Sequence, residues 1–368
     1  MSTEIQSGMP EIIFHGCSLK HTQHDHHGHA HANHVGNGTA PAGGQRRQVT
    51  VGGKRVKTID VHCHCVLPET LAMAGLRLED QRGPGIGEVG LRRIREMDEQ
   101  GIDVEAISIN PFWYKTERDL AETLIKTQNE KLTELCAAHP DRLVGMASVS
   151  LQFPDLAIQQ LEYAINKLGM KGVAVGGSVA GVAFSDVKFH PFWAKVEEMG
   201  QLVFIHPQGT PELSKRLAGN GWLSNVIGNP LDTTIALSHL IFEGTLDRFP
   251  ALKICSAHGG GFLPSYAPRS DNGCRVAPEE CNPAIQLKKK PTEYLRQMYF
   301  DSLVFTDEAL RHLVAEVGSS QVVIGTDHPI PWWSTSVDHL LNAPGYSDDE
   351  RRNMLGLTAG RLLGIDPF

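Results

Sequence analysis

The 368-residue sequence contains no apolar run approaching the ~20 residues that cross a bilayer. It also lacks an N-terminal charged start followed by a hydrophobic segment, so a membrane-embedded or exported protein is not expected, and the cytoplasm is. A basic surplus is missing as well: 34 Lys and Arg face 42 Asp and Glu, for a formal net charge of -8, which leaves no electrostatic footprint for nucleic acid. Cysteine is sparse. The seven residues (Cys17, Cys63, Cys65, Cys136, Cys255, Cys274 and Cys281) are odd in number, scattered and partly inside apolar runs, which does not read as a disulfide framework.

What is present divides at about residue 50. His21 to His34 holds seven histidines in fourteen residues and is followed by Gly-, Ala- and Pro-containing sequence that can bury little apolar area. Residues 1–50 therefore read as a His-rich extension, either flexible or wrapped on the rest of the chain, in which Ile12, Ile13, Phe14 and Cys17 are potential anchors. Residues 51–368, with ordinary hydrophobic and charged content, suit one large α/β domain.

Within that domain strand-like and helix-like segments alternate, the pattern of βα units with parallel strands. Strands are expected at 58–64, 104–110, 143–149, 172–177, 202–207, 253–259, 298–304 and 322–327, which makes a closed (β/α)8 TIM barrel the expected fold. Amphipathic stretches between them belong to an outer ring. Asp119 to His139 carries Leu120, Leu124, Gln128, Leu132, Leu135 and Cys136 at helical spacing, and Asp155 to Leu168 repeats the pattern.

Chemistry collects at the C-terminal ends of these strands, where barrels build their sites. Thr58-Ile-Asp-Val-His-Cys-His64 ends in two histidines one residue apart. Side chains at i and i+2 share a strand face, so His62 and His64 can grip one ion, whereas Cys63 points away. Three further runs end in matching residues: Leu202-Val-Phe-Ile-His206, Lys253-Ile-Cys-Ser-Ala-His258 and Val322-Val-Ile-Gly-Thr-Asp327. A single histidine at a strand end is more often a hydrogen-bonded core residue than a ligand. Four strands ending this way, one with a doublet, point to neutral imidazoles and a carboxylate around a hydrolytic divalent metal.

Several motifs in order carry a resemblance. Ile59-Asp-Val-His-Cys-His64, Arg95-Glu-Met-Asp-Glu-Gln-Gly-Ile-Asp-Val104, Ile205-His-Pro207, His258-Gly-Gly-Gly261, Tyr299-Phe-Asp-Ser302 and Gly325-Thr-Asp-His-Pro329 make residues 56–367 resemble the amidohydrolase superfamily, in its branch of amino-carboxymuconate-semialdehyde decarboxylase and related metal-dependent decarboxylases. Binuclear relatives place a carboxylated lysine on strand four, but Gly172 to Gly177 has none and Lys171 precedes it. One divalent metal follows, with zinc first and manganese or iron as alternatives. His62, His64, His206 and Asp327 are expected to hold it, with His258 outside the ligand set as the proton carrier and Asp301 orienting His258 or a ligand.

The resemblance further implies non-oxidative decarboxylation of a small unsaturated or aromatic carboxylic acid. Arg269 matches an arginine that reaches a neighbouring subunit's site, so a homodimer or higher homo-oligomer is expected. A second family arginine has no clean counterpart, with Arg77 and Arg82 both near the place. Phe112, Trp113, Trp222 and Trp332, with Trp333, lie on strand-end loops where aromatic rings wall a flat substrate. The competing readings are a metal-dependent hydrolase or hydratase on the same barrel, a dinuclear oxygenase drawing ligands such as His15 from the extension, and a metal-storage protein led by the extension.

Overall fold

The computed structural model describes residues 12–15, 18–21, 46–78, 90–332 and 336–366. Eight parallel strands run in sequence order: β1 (Ile59–His64), β2 (Val104–Ser108), β3 (Leu143–Gly145), β4 (Val173–Val175), β5 (Leu202–Ile205), β6 (Lys253–Ser256), β7 (Tyr299–Asp301) and β8 (Val322–Val323). Pairing is continuous within β1-β2-β3 and within β4 through β8. Ala147 bridges to Val173 to join the two sets, and Asp60↔Ile324 and Cys63↔His328 close the circle between β1 and β8. The expected barrel is thus the observed one. Every strand but the first stops short of its expected end, because the last residues of the apolar run leave the ladder to form the mouth.

The main helices of the ring include α1 (Leu91–Gln100), α2 (Arg118–Ala137), α3 (Pro154–Asn166), α4 (His190–Glu198), α5 (Gly228–Phe242), α6 (Pro291–Leu295), α7 (Asp307–Val317) and α8 (Thr358–Leu363). Helix α2 buries Leu124, Gln128, Leu132 and Cys136, most of the stripe that the spacing set out. Gln128 is there for its amide: Nε2 donates to Ser148 Oγ at 2.7 Å, next to Asn129, which exchanges hydrogen bonds with the Ser148 backbone. Gly101, at φ 79°, ends α1 in a left-handed turn that leads straight into β2.

Apolar packing forms two clusters, a small one inside the barrel and a large one between barrel and helices. Ile59 and Val61 belong to the inner cluster with Val104, Ala106 and Phe204, whereas Cys63 belongs to the outer one. Between them the register of β1 against β2 shifts from Asp60 to Cys63. That irregularity changes the phase of the strand, so His62 lies against the inner Phe204 ring with centroids 5.2 Å apart.

Residues just before the first strand are docked on the barrel. Val49 and Val51 are buried in the outer cluster, Arg47 pairs with Asp338, and Arg55 donates to Asp103 at 2.6 and 2.7 Å. Ile12–His15 pairs antiparallel with Ser18–His21; Cys17 and the histidines from His24 to His34 lie outside the described residues.

One expectation is corrected. Cys274 and Cys281 form a disulfide across two short helical turns, Gly273–Val276 and Pro278–Glu280. Their seven-residue spacing brings the two Cα atoms to 5.7 Å, which a reading based on total cysteine count and scatter does not reveal. Cys63, Cys65, Cys136 and Cys255 are free and buried.

Candidate metal centre

His62, His64, His206 and Asp327 each offer a ligand atom, and these atoms all lie within 4.8 Å of one another. His62 and His64 come from β1, His206 from the residue after β5, and Asp327 from the loop that follows β8. His62 Nε2 and His64 Nε2 approach Asp327 Oδ1 to 3.1 and 3.2 Å, and His206 Nε2 to 4.0 Å. None of these three nitrogens has a hydrogen-bond partner, although all are buried. Close approach without hydrogen-bond geometry means that the lone pairs aim at a common point and not at one another. A divalent cation satisfies such a set, and burying it otherwise costs free energy at every orphaned nitrogen.

The far side of each β1 imidazole fixes which nitrogen is free. His62 Nδ1 is bound to Asp301 Oδ2, and His64 Nδ1 lies 2.8 Å from Ser108 Oγ, which spends its own proton on the Cys63 carbonyl. Both Nδ1 atoms therefore carry the proton, leaving Nε2 unprotonated toward the centre. Asp301 also accepts the backbone N–H groups of His258 and Gly259, so it orients a ligand and shapes the turn beneath the sixth strand. Asp327 and His258 sit at φ 60° and 55°, left-handed conformations that cost non-glycine residues free energy and concentrate at functional sites.

Electrostatics match this arrangement. Burial disfavours charge on His62, yet Asp327 and Asp301 outweigh it and hold the imidazole up to about 10. Burial pushes His64 down to about 4 and His206 well below the ordinary histidine value. Asp327 stays far below the usual carboxylate range in spite of its burial, because His62 and His258 face it. The two carboxylates beside His62 thus favour positive charge at this point, which a divalent ion on Nε2 would supply in place of a proton.

His258 lies beside the set, its Nε2 3.7 Å from Asp327 Oδ2. A cleft of about 340 Å³ opens over His64, His206 and Asp327, bordered by Phe112, Trp222, Asn110, Gln208, Asn225 and Asn229. Phe112 and Trp222 are therefore among the residues that border the cleft. Trp113 is not: it is fully buried with Nε1 donating to the Val149 carbonyl at 2.9 Å, a core residue next to a wall residue. Trp332 stacks on Trp222 and bonds to Asp327 Oδ2. Arg269 is exposed on the short helix Ala267–Ser270, away from the residues that border this cleft, and Arg82 and Trp333 lie outside the described residues.

Sequence reading missed Ser108 and the support behind the junction of β1 and β8. Ser108 had a signal, since in register it stands opposite His64 at the end of the neighbouring strand. Behind the junction of β1 and β8, His328 bridges Glu105 at 2.7 Å and Glu96 at 2.9 Å. Buried Arg93 pairs with Glu105, donates to the His64 carbonyl at 2.8 Å and reaches the His328 carbonyl at 3.5 Å. Asp60, Cys63 and Glu105 also cluster, but Asp60 is engaged by Thr326 and the His62 backbone, and Glu105 by Arg93 and His328. That cluster is a strut between strands.

The amidohydrolase family model matches residues 59–365. The chain belongs to the amidohydrolase family. Curated relatives of this amidohydrolase include 2-amino-3-carboxymuconate-6-semialdehyde decarboxylase of Dictyostelium discoideum, 33% identical, with 75% of this chain and 76% of the relative covered. Gamma-resorcylate decarboxylase of Rhodococcus jostii is 28% identical over 74% of this chain and 87% of its own. Among solved structures, dihydroxybenzoic acid decarboxylase from Polaromonas sp. JS666, with bound manganese and 2-nitroresorcinol, superposes with a TM-score of 0.73 at 26% identity, covering 83% of this chain and 96% of that one. The barrel of 5-carboxyvanillate decarboxylase from Sphingomonas paucimobilis matches with a TM-score of 0.75 at 23% identity, over 84% and 99%. No helix among the described residues is long and apolar enough to cross a membrane.

Proposed function

We propose that this amidohydrolase is a metal-dependent carboxy-lyase that removes CO2, without oxidation, from a small aromatic or unsaturated carboxylic acid. One observation carries the reading: three orphaned imidazole nitrogens and a carboxylate oxygen converge beneath a cleft walled by Phe112 and Trp222. Relatives named for decarboxylation of resorcylate and carboxymuconate semialdehyde support it.

His62, His64, His206 and Asp327 hold one divalent ion in this account. Their N3O donor set suits zinc, manganese or iron, and we put zinc first while noting the manganese bound by the Polaromonas relative. The bound ion supplies positive charge against the oxygens of the substrate. Phe112 and Trp222 flank the ring plane, and Asn110, Gln208, Asn225 and Asn229 offer amide groups to its polar substituents. Breaking the C–CO2 bond returns an electron pair to the ring carbon, which must take up one proton as CO2 leaves. His258, beside Asp327 and with Nδ1 unpartnered, is the group placed to deliver it. Asp301 keeps His62 and the His258 turn in position.

The remaining assignments belong to the same reading. Arg269, exposed on its own protomer, supplies a carboxylate-binding fork to a partner's cleft in a homodimer or larger assembly. Trp332 and, from outside the described residues, Arg82 are its further substrate contacts. Residues 51–368 form the catalytic barrel and the His-rich extension before it is an appendage. The buried free thiols of Cys63, Cys65, Cys136 and Cys255 support a reducing, cytoplasmic setting.

The test pairs metal analysis with a panel of hydroxybenzoic and enoic acids scored for CO2. One equivalent of metal and stoichiometric CO2, abolished by chelation and restored by zinc or manganese, is expected. Consumption of substrate without CO2, or two equivalents of metal, overturns the reading.

A further inference from the structure

Asp327 presents its two oxygens to different neighbours. Oδ1 faces His62 and His64, whereas Oδ2 accepts a hydrogen bond from the indole Nε1 of Trp332 at 2.8 Å. The backbone between them is folded back on itself: Ile330 N donates to the Asp327 carbonyl at 2.8 Å and Trp332 N to the Ile330 carbonyl at 2.9 Å. The Trp332 ring is fixed in turn. It stacks on Trp222 with centroids 5.6 Å apart and planes 17° apart, and Phe305 packs edge-on at 6.0 Å. Trp222 holds φ 53° at the start of the helix Leu223–Val226 and borders the cleft.

An indole whose only donor is spent on a carboxylate oxygen does more than wall a cleft. A carboxylate free to rotate can offer an ion either one oxygen or both, and can turn Oδ2 toward the imidazole of His258, 3.7 Å away. The Trp332 N–H removes that freedom, because leaving Oδ2 would strand a half-buried donor beneath a stacked ring. We propose that Trp332 is a positioning residue that commits Asp327 to the metal through Oδ1 alone, and that its stack on Trp222 holds the indole in the plane this requires. The proposal rests on the metal-centre reading and adds to it an orienting partner for the ligand that comes from the loop after β8.

The experiment uses the full chain loaded with cobalt(II), whose visible absorption reports coordination number. Trp332→Phe keeps a ring for the stack but has no donor; Trp332→His restores an N–H. The expected result is a changed cobalt spectrum and cobalt binding weakened by about tenfold or more in Trp332→Phe, with recovery toward wild type in Trp332→His. Unchanged spectrum and affinity in Trp332→Phe, with only KM raised, make Trp332 a substrate wall and overturn the proposal. So does an equal defect in both variants while both fold, since ring volume and not the donor is then responsible. Should Trp332→Phe fail to fold, benzothienylalanine at 332, which keeps the bicyclic shape without the N–H, is read by the same criteria. A wild-type chain that binds no cobalt overturns the metal reading itself, an outcome separate from any difference between variants.

Discussion

The carboxylate of Asp301 holds His62 by Nδ1 and, through the same Oδ2, accepts the backbone N–H of His258 at 2.9 Å; its Oδ1 accepts those of Gly259 and Leu303 at 2.8 and 3.1 Å. One buried group thus fixes both His62 and the turn that carries His258, the proposed proton donor. In Asp301→Asn an amide NH2 replaces one acceptor, and turning it toward His62 forces the ring proton onto Nε2, the atom needed for the metal. Metal affinity falls about 10- to 100-fold, read by competition with a chromophoric chelator.

His258 and His206 separate in their effects. His206→Ala loses the metal, measured by elemental analysis after dialysis. His258→Gln keeps one equivalent and loses about 10² to 10⁴ in kcat, as expected of a proton donor that is no ligand. Equal metal loss in both variants would place His258 among the ligands.

Asp232, which accepts the Gln208 N–H at 2.8 Å next to the cleft, has its carboxyl raised by burial to about 6. A folded-state value above the unfolded one means that the folded chain keeps this proton while the unfolded chain gives it up. Its contribution to stability is therefore greatest at acid pH and is lost as pH rises from about 4 through about 6. Asp232→Asn, which cannot ionise, is more stable than wild type at pH 8 by roughly 1–2 kcal/mol, and the difference shrinks toward pH 4 in denaturant titrations.

Gly356 lies in the last helical segment against the start of β1, where a Cβ would stand 1.8 Å from the Lys57 carbonyl oxygen. Backbone on both sides leaves no flexible atom to yield. Gly356→Ala lowers unfolding free energy by about 3 kcal/mol or more, visible as a lowered Tm with activity per folded molecule unchanged.

Strand ends were legible because barrel topology turns a sequence coincidence into a spatial one: His62, His64, His206, His258 and Asp327 each close an apolar run, and closed runs meet at one rim. Their supports were not. Ser108 matters because of its register beside His64, and the Trp332 bond to Asp327 depends on a reverse turn in an irregular loop. Trp113 and Phe112 are neighbours of the same chemical kind, so only packing shows that one faces the cleft and the other the core. The Cys274–Cys281 bridge was hidden for a similar reason, being a local loop closure within a set of unpaired buried thiols.

The guanidinium of Arg93, joined to the carbonyls of His64 and His328, fastens the first strand to the end of the last. Donors on either side of that fastening are translated at opposite ends of the barrel. A nascent chain from which Asp327 has yet to emerge carries only part of the proposed ligand set, so that set is complete only when the last strand is there to shut the ring.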